Sequence, residues 1–389
     1  MGTLEKLIAQ LCPDGVEYKL LGEVCECRRG DALISKDAVP GSIPVVSGGK
    51  KPSCFHNKAN RSANSITVAG SGAYAGFIMF WNVPIFCADS FTVIPLDANI
   101  ANVRFVYYVL KSKQEQIYRL KSCGGVPHVY ARDVSKVIIP LPPLSVQKEI
   151  VRMLDDMAGL IDALEEELAA RKKQYEWYRD RLLRMRSSEC CMVTLGEICE
   201  FRNGYTPSKA NDKFWNDGDV PWFRMDDIRV NGRILSDAIQ HVTNAAVKKS
   251  GLVKSNSVVF ATTATIGEHA LISTEFLTNQ QMTSLTVKDE TVLLPKFLFY
   301  LGFDIGKRCR KIAHVGGGLP IVDSMKFRSL EVSLPPLSEQ RRIVKILDSF
   351  DTLCNSMTEG LPGEIALRKQ QYEYYRDKLL AFKRKPEVA

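Results

Sequence analysis

The chain writes one sixteen-residue passage twice. LPPLSVQKEIVRMLDD begins at Leu141 and LPPLSEQRRIVKILDS at Leu334, an offset of 193 residues. The likeness resumes where RKKQYEWYRDRLL from Arg171 returns as RKQQYEYYRDKLL from Arg368, now at an offset of 197. An internal repeat of this kind constrains the fold more than any bulk property, because both copies must build the same local structure.

Each copy opens on Pro-Pro, which fits neither a helix interior nor a central strand, so the chain is extended there. Ser145 and Ser338 are then placed to cap a following helix. From Ile150 the apolar positions run Leu154, Met157, Ile161, Leu164, Leu168, Tyr175, Tyr178, Leu182 and Met185. The steps alternate four and three, with Arg171 the one polar member, so about five heptads form a coiled-coil seam. A helix of about 40 residues is about 60 Å long. The second seam starts at Ile343 and passes Leu347, Phe350, Cys354, Met357, Leu361, Ile365, Arg368, Tyr372, Tyr375, Leu379 and Phe382. Its two consecutive fours at Met357, Leu361 and Ile365 are a four-residue stutter. The stutter coincides with EGLPGE, which predicts a kink at Pro362 and Gly363. Bare in water, either stripe would be insoluble. The two helices most simply pack on each other, antiparallel if a pseudo-twofold axis relates the halves; the alternative is that each packs on its own domain.

The stretches before the two helices also answer each other. LGEVCECRRG from Leu21 matches LGEICEFRNG from Leu195, and SITVAGSGAYAG from Ser65 matches SVVFATTATIG from Ser257. RFVYYVL from Arg104 and CGGVPHV from Cys123 return as KFLFYLG from Lys296 and GGGLPIV from Gly316. The order is kept while side chains differ, as expected of a duplicated binding surface that has diverged. Patterning predicts strands at 64–69, 75–81, 91–95 and 134–140, and at 256–261, 268–273, 283–287 and 327–333. Helices are predicted over 101–121 and 294–313. Each ends in cations, Lys111, Lys113, Arg119 and Lys121 in one and Lys307, Arg308, Arg310 and Lys311 in the other, which complement the helix dipole or hold phosphate. The fold class is α/β (α+β): a domain over 1–140, a helix over 141–187, a domain over 188–333 and a helix over 334–385.

Composition adds exclusions. No apolar run approaches the ~20 residues of a membrane span, and MGTLEKLIAQLCPDG lacks a signal-peptide core. Lys6 stands where myristoylation wants Ser or Thr. A cytoplasmic protein with no membrane partner is expected. Eleven cysteines in no framework spacing read as reduced, small hydrophobic residues, with a zinc site the alternative. Lys and Arg number 52 against 44 Asp and Glu, a net charge of +8 that suits a polyanion partner or a solvated surface.

No catalytic constellation is present. GSGAYAG has the wrong spacing for a dinucleotide loop and is followed by strand-like sequence, and SGGKKPS lacks the P-loop's glycine and hydroxyl residue. In PDGVEYK, Asp14 and Glu17 lie too close to come from two strands of a nuclease site. Neither GxSxG nor HExxH occurs, and no Asn/Asp-Pro-Pro-aromatic motif is there to grip a flipped base. No catalytic residue and no metal ligand is predicted. Two similar surfaces without chemistry point to recognition.

Two variable domains alternating with helices that open LPPLSxQ and close QYExYRDxLL closely resemble the specificity subunit of type I restriction–modification systems, over essentially the whole chain. The resemblance implies two target-recognition domains, each reading one half of a split, asymmetric double-stranded DNA site. It implies that the helices dock two methyltransferase subunits carrying S-adenosylmethionine, and that restriction/translocase subunits using ATP and Mg join them. The specificity subunit itself would be non-catalytic and hold no cofactor. A change in the helical spacer would then change the unread gap at ~3.4 Å per base pair. Within such heads, phosphate contacts are expected from Arg28, Lys50, Lys51 and Lys121, and from Arg202, Lys209, Lys248 and Lys249. Base edges fall to Asn57, Tyr74 and His128, and to Tyr205, Arg224, Asp226 and Thr263. Trp81, Phe91, Phe297 and Phe299 are expected in cores. Trp177, Arg179 and Asp180, with Tyr374, Arg376 and Asp377, form the candidate partner-binding faces. The runner-up is a non-catalytic coiled-coil scaffold whose heads bind protein.

Overall fold

Both copies of LPPLSxQ fold alike in a computed structural model that describes residues 3–33, 36, 39–122, 125–184, 190–316 and 318–386. The chain divides into two units, Met1–Glu165 with Glu364–Ala389, and Glu166–Gly363.

The first unit opens with α1 (Thr3–Leu11), β1 (Glu17–Leu20), the single turn α2 (Leu21–Val24) and β2 (Cys25–Arg29). Strands β3 (Ile43–Val46), β4 (Cys54–His56), β5 (Ser65–Ala69), β6 (Ile78–Trp81), β7 (Phe86–Cys87) and β8 (Ser90–Pro95) follow. They form a four-stranded sheet in the order β2-β8-β5-β6 and a three-stranded one in the order β4-β3-β7. Every residue of β5 is buried, an interior position that suits its β-branched SITVA sequence. Then come α3 (Val103–Ser112), α4 (Gln114–Tyr118) and α5 (Ala131–Val134), and β9 (Ile138–Leu141) returns to pair with β1. Asn102 caps α3 by accepting from the amides of Arg104 and Phe105. The core joins Ile66, Val68, Phe91, Phe105 and Tyr108 to Ile150 and Leu154 of α6 (Leu144–Leu183). Each fully buried aliphatic side chain there contributes about 1.5–3 kcal/mol.

The second unit repeats the plan. It contains β10 (Cys191–Thr194), α7 (Leu195–Ile198), β11 (Cys199–Asn203), β12 (Val220–Phe223), α8 (Met225–Asn231), β13 (Ile234–Leu235) and β14 (His241–Val242). These precede β15 (Ser257–Ala261), β16 (His269–Ile272), β17 (Leu277–Thr278), β18 (Met282–Val287) and α9 (Pro295–Ile312). The hairpin β19 (His314–Gly316) and β20 (Leu319–Ile321), then α10 (Ser324–Arg328) and β21 (Glu331–Leu334), lead to α11 (Leu337–Asn355). The main sheet runs β11-β18-β15-β16-β13 and the smaller one β14-β12-β17, while β10 pairs with β21. Pro295 sits in the first turn of α9, where its missing N–H costs nothing.

The eight predicted strands overlap β5, β6, β8, β9, β15, β16, β18 and β21, but 75–81 opens in a turn, and 134–140 and 327–333 open in α5 and α10 and become strand only at Ile138 and Glu331. The predicted 294–313 helix is filled by α9 to within a residue at each end. The 101–121 helix is split at Lys113 into α3 and α4. The edge strands β2 and β11 escaped prediction because CECRR and CEFRN alternate over only four residues, with charges at every second position and a cysteine as the leading apolar member. Phe91, Phe297 and Phe299 are core as expected; Trp81 is half-buried and donates to the Thr67 hydroxyl at 2.9 Å.

The first repeated helix is continuous over 40 residues, while the second is two helices, α11 and α12 (Leu361–Leu379). The break lies at 356–360, ahead of the predicted Pro362–Gly363 kink. Pro362 instead occupies the first turn of α12, which tolerates it. Met357, expected on the seam, falls in the break and is 64% exposed. Met185 lies outside the described residues. Ser145 and Ser338 are inside their helices rather than caps, since α6 and α11 begin one residue earlier. Antiparallel pairing is seen in each unit. In the first, α6 meets α12, with Lys369 and Glu165 in an ion pair at 2.6 Å and Ile150 and Leu154 in one core with Tyr372 and Leu379. In the second, Tyr175 and Tyr178 of α6 stack on Phe350 of α11 at 6.1 and 5.6 Å. Each repeated helix therefore packs both on its own unit and on its counterpart.

The glutamine of LPPLSxQ explains why the motif is written twice. Gln147 is fully buried; its Oε1 accepts the Asn102 amide at 2.8 Å, and its Nε2 donates to the carbonyls of Ile100 and Pro142, both at 2.8 Å. Gln340 repeats this with the Leu294 amide at 2.9 Å and the carbonyls of Val292 and Pro335 at 2.9 and 2.8 Å. Replacing either by leucine strands one buried amide and two carbonyls. Gln147→Leu or Gln340→Leu should each destabilise its unit by about 2–4 kcal/mol in denaturant unfolding. A loss below about 0.5 kcal/mol would show that water or a shifted backbone replaces these bonds.

Candidate nucleic-acid interface

One end of the paired sheets collects the same turns in both units. In the first, β2, β3, β5 and β7 end where β6 and β8 begin. Gly30 follows β2, donates its amide to the Ser90 carbonyl at 2.8 Å, and has no room for a Cβ, which would lie 2.2 Å from the Ala88 carbonyl oxygen. Gly204 after β11 repeats the approach: a Cβ there would lie 2.0 Å from the Asn279 carbonyl oxygen. Only glycine lets the turns crowd this closely.

At that end the structure brings Lys50, Tyr74, Lys121 and His128 together. The Lys50 ammonium lies 5.0 Å from the Tyr74 ring centre and 5.3 Å from that of Phe77. Lys121 reaches the Ala73 carbonyl at 3.4 Å and covers the Tyr118 ring at 4.4 Å. His128 bridges to Ser71 and stacks on Tyr130, ring centres 6.0 Å apart. Lys51 is exposed beside Lys50, and Arg28 is exposed on β2, opposite Thr92. Asn57 follows β4 at the far end of the hairpin whose turn carries Lys50, so it stands apart from the cluster.

In the second unit Tyr205, Arg224, Asp226 and Thr263 occupy the corresponding turns. Tyr205 donates its amide to the Thr278 carbonyl at 2.8 Å and its hydroxyl to the Ala246 carbonyl at 3.0 Å. The hydroxyl also accepts the Lys248 amide at 3.2 Å, and the Lys248 ammonium sits 4.1 Å from the ring centre. Arg224 stands just before α8; its guanidinium lies 3.8 Å from Asp226, which also faces Arg229 at 3.9 Å. Buried Asp227 fixes this turn by accepting the amides of Arg224 and Ile239, both at 2.6 Å. Thr263 bridges to Ile321. Arg202 is engaged within the unit, donating to the Ser250 hydroxyl at 2.9 Å and to the carbonyls of Ser250 and Gly251. Lys209 and Lys249 are exposed.

Most cations at the helix ends serve the fold. Lys307 pairs with Asp180 at 2.7 Å, and Arg308 and Arg310 donate to the carbonyls of Glu331 and Ile266 at 2.6 and 3.2 Å. Burial, helped by Arg376 and Lys50, lowers the pKa of Lys111 beneath the Phe77 ring. The sequence reading missed a cavity of about 770 Å³ beside these turns, lined by Arg229, Arg233, Arg310 and Glu268. Its cations come from α8, the approach to β13 and α9, so nothing in their spacing announces it.

On the helices, Trp177 and Tyr374 face outward, 53% and 61% exposed, and Asp377 is exposed with Arg376 at 2.8 Å. Arg179 is buried, lying 4.1 Å from the Phe303 ring centre and pairing with Asp180 at 3.2 Å. Against the desolvation that would raise it, Lys307 and Arg179 hold the Asp180 carboxyl below its ordinary range. Arg179 and Asp180 thus tie α6 to α9. Burial raises the Cys25 and Cys27 thiols to about 12 and about 11, as apolar use implies. Among the described residues no group of three or more His, Cys, Asp or Glu could hold a metal, and no helix is long and apolar enough to cross a membrane.

A family model described as the type I restriction modification DNA specificity domain matches this chain twice, at residues 13–171 and 188–367. The chain belongs to that family. The Escherichia coli type I restriction enzyme EcoR124I/EcoR124II specificity subunit is 38% identical to it, over 100% of this chain and 98% of that one. Two solved structures share the fold. The S subunit of a type I restriction–modification system from M. genitalium superimposes with a TM-score of 0.59 at 18% identity, over 96% of this chain and 97% of that one. The HsdS subunit from Thermoanaerobacter tengcongensis gives 0.54 at 20% identity, over 95% and 97%.

His269, at the start of β16 under the turn cluster, is buried among Phe260, Phe299 and Phe303, and Gly302 leaves just enough room for its ring. Burial first, then the nearby guanidinium of Arg233, lowers its pKa to about 3. The unfolded chain takes up a proton near pH 6.5 that the folded unit refuses, so stability falls as pH drops below 6.5. The second unit should lose about 2 kcal/mol by about pH 5, and His269→Gln should flatten that slope. An unchanged unfolding midpoint across this range would refute the assignment.

Proposed function

We propose that the chain is the sequence-reading subunit of a type I restriction–modification complex, each unit contacting one half of a split, asymmetric double-stranded DNA site. One observation carries this reading: the same cluster of turns is built at the same end of both sheets and filled with different side chains. A common frame with divergent side chains suits two heads that read different sequences. Residues 1–140 and 188–333 serve as target-recognition domains, and the helices of 141–187 and 334–385 as spacer. Lys50, Lys51, Lys121 and Arg28 supply phosphate contacts in the first head, as Lys209, Lys248 and Lys249 do in the second, while the Arg202 guanidinium holds the turn at Ser250 and Gly251. Tyr74 and His128 face base edges in one head, and Arg224, Asp226, Thr263 and Tyr205 in the other. Asn57, at the far end of the β3–β4 hairpin from its cluster, is given no base contact. The outward faces at Trp177 and Tyr374 dock two methyltransferase subunits, which bring S-adenosylmethionine; restriction subunits bring ATP and Mg. This chain is non-catalytic and acts in the cytoplasm.

Mapping methylated adenines genome-wide with and without the gene tests the proposal: deletion should erase one split motif, and retention of every motif would refute it in a methylating strain. With the assembled complex, Lys50→Ala and Lys51→Ala should weaken binding to all sequences alike and each reduce the salt slope by about 1. Salt-independent binding would favour instead a scaffold whose heads hold protein.

A further inference from the structure

Among the described residues, an exposed apolar tip is repeated with its chemistry intact in both heads. Gly125-Val126-Pro127 and Gly318-Leu319-Pro320 stand at matching points of CGGVPHV and GGGLPIV. Val126 is 60% exposed and Leu319 51%. Both tips are stitched to the turn after the central strand by the same bonds. The Gly72 amide donates to the Pro127 carbonyl at 3.0 Å and the Val129 amide to the Gly70 carbonyl at 3.0 Å. In the second head the Ala264 amide donates to the Pro320 carbonyl at 3.1 Å and the Val322 amide to the Thr262 carbonyl at 2.9 Å. Gly72 and Ala264 both hold positive φ, 84° and 64°, so the second head keeps this backbone even with a side chain that disfavours it. Cations flank both tips: Lys121 reaches Ala73 in the first head, and Arg229, Arg233 and Arg310 share the cavity wall with Pro320 and Ala264 in the second.

Side chains that read bases should differ between heads with different half-sites. An element that keeps its place, its anchoring and its apolar character does something independent of sequence. Valine and leucine offer no donor or acceptor to a base edge. The preceding glycine adds no bulk, and the following proline stiffens the turn. An apolar side chain on a tip anchored by backbone bonds, set among cations, fits the space between stacked base pairs. We propose that Val126–Pro127 and Leu319–Pro320 are wedges that press into a base step of double-stranded DNA, one in each half-site. The proposal rests on the DNA-reading function above and adds the part that does not depend on base identity.

The test uses the full complex of this chain with its methyltransferase subunits, and duplexes bearing the motif found by methylation mapping. A fluorescent adenine analogue that brightens on unstacking is moved through each half-site. Besides brightening at the methylated adenine itself, which the methyltransferase unstacks, the wild-type complex should brighten the analogue at one further step per half-site. Val126→Ser should abolish that further signal in one half-site and Leu319→Ser in the other, each with about tenfold weaker binding and an unchanged methylated motif. Specific binding by the wild type with no brightening at any step other than the methylated adenine would overturn the wedge and leave the DNA-reading function standing. A variant that changes the methylated motif would make the tip a base reader, and one that loses methyltransferase subunits on co-purification would make it a protein contact; either overturns the proposal. A wild-type complex that shows no salt-dependent DNA binding would defeat the function itself.

Discussion

Everything in this molecule hangs on a glutamine that never meets water. Gln147 and Gln340 each close three hydrogen bonds between the extended Pro-Pro entry, the first turn of a long helix and the segment leading into α3 or α9. A buried amide with both ends satisfied fixes direction as well as position, which an apolar residue of the same size could not do. The angle at which each helix leaves its sheet follows. The next ties reinforce it: Tyr108 and Arg104 converge on Asp155, and Tyr300 and Lys296 on Asp348, at matching turns of the two helices. Fixed entry, fixed exit and a packed seam between them give a frame on which the turns at the sheet end can vary.

That separation of frame from turns is the physical basis for reading two sequences with one design. Side chains of β5 and β15 are buried along their whole length and admit little change. Turns that follow them are held by backbone bonds from both sides, so their geometry survives when side chains are exchanged. Tyr205 illustrates the limit: its hydroxyl already closes two bonds inside the second unit, and what it presents outward is the ring face under Lys248. Arg202 is further still from a free phosphate ligand, its guanidinium holding the turn at Ser250 and Gly251.

Much of this was legible in the sequence, for reasons that differ by element. The seam was readable because heptads are periodic, and β5, β8, β15 and β18 because buried strands leave apolar runs bounded by turns. Family membership was readable because LPPLSxQ and QYExYRD are too specific for heptads alone to dictate. The break in the second helix was foreseen but misplaced: proline was assigned the kink, when a proline in the first turn starts α12 as readily as it ends another helix. The role of Gln147 was invisible, since its partners, two of them 45 and 47 residues upstream and the third at Pro142, are backbone atoms without a sequence signature. The arginine-lined cavity was unreadable for the same reason, being made by residues that only the fold brings together.

The two units also differ in how they can be made. The second is contiguous, from Glu166 to Gly363, so all its partners are present once that stretch exists. The first needs residues from Glu364 onward: Tyr18 donates to the Phe382 carbonyl at 2.8 Å, the Val16 amide to that of Lys383 at 2.9 Å, and Leu380 enters its core. Closing contacts across more than 360 residues carries a large loop-closure cost that local contacts do not. Domains usually fold in the order of synthesis. Here the head that is written first must wait for the end of the chain, and until then the apolar face of α6 that α12 will cover stays open. The second head, complete earlier, can hold the C-terminal end of that helix in shape through the stacking of Tyr175 and Tyr178 on Phe350. A continuous α6 is then more than a spacer: the half folded with the second unit extends as helix into the half that the first unit must recruit, lowering the nucleation cost of the last step.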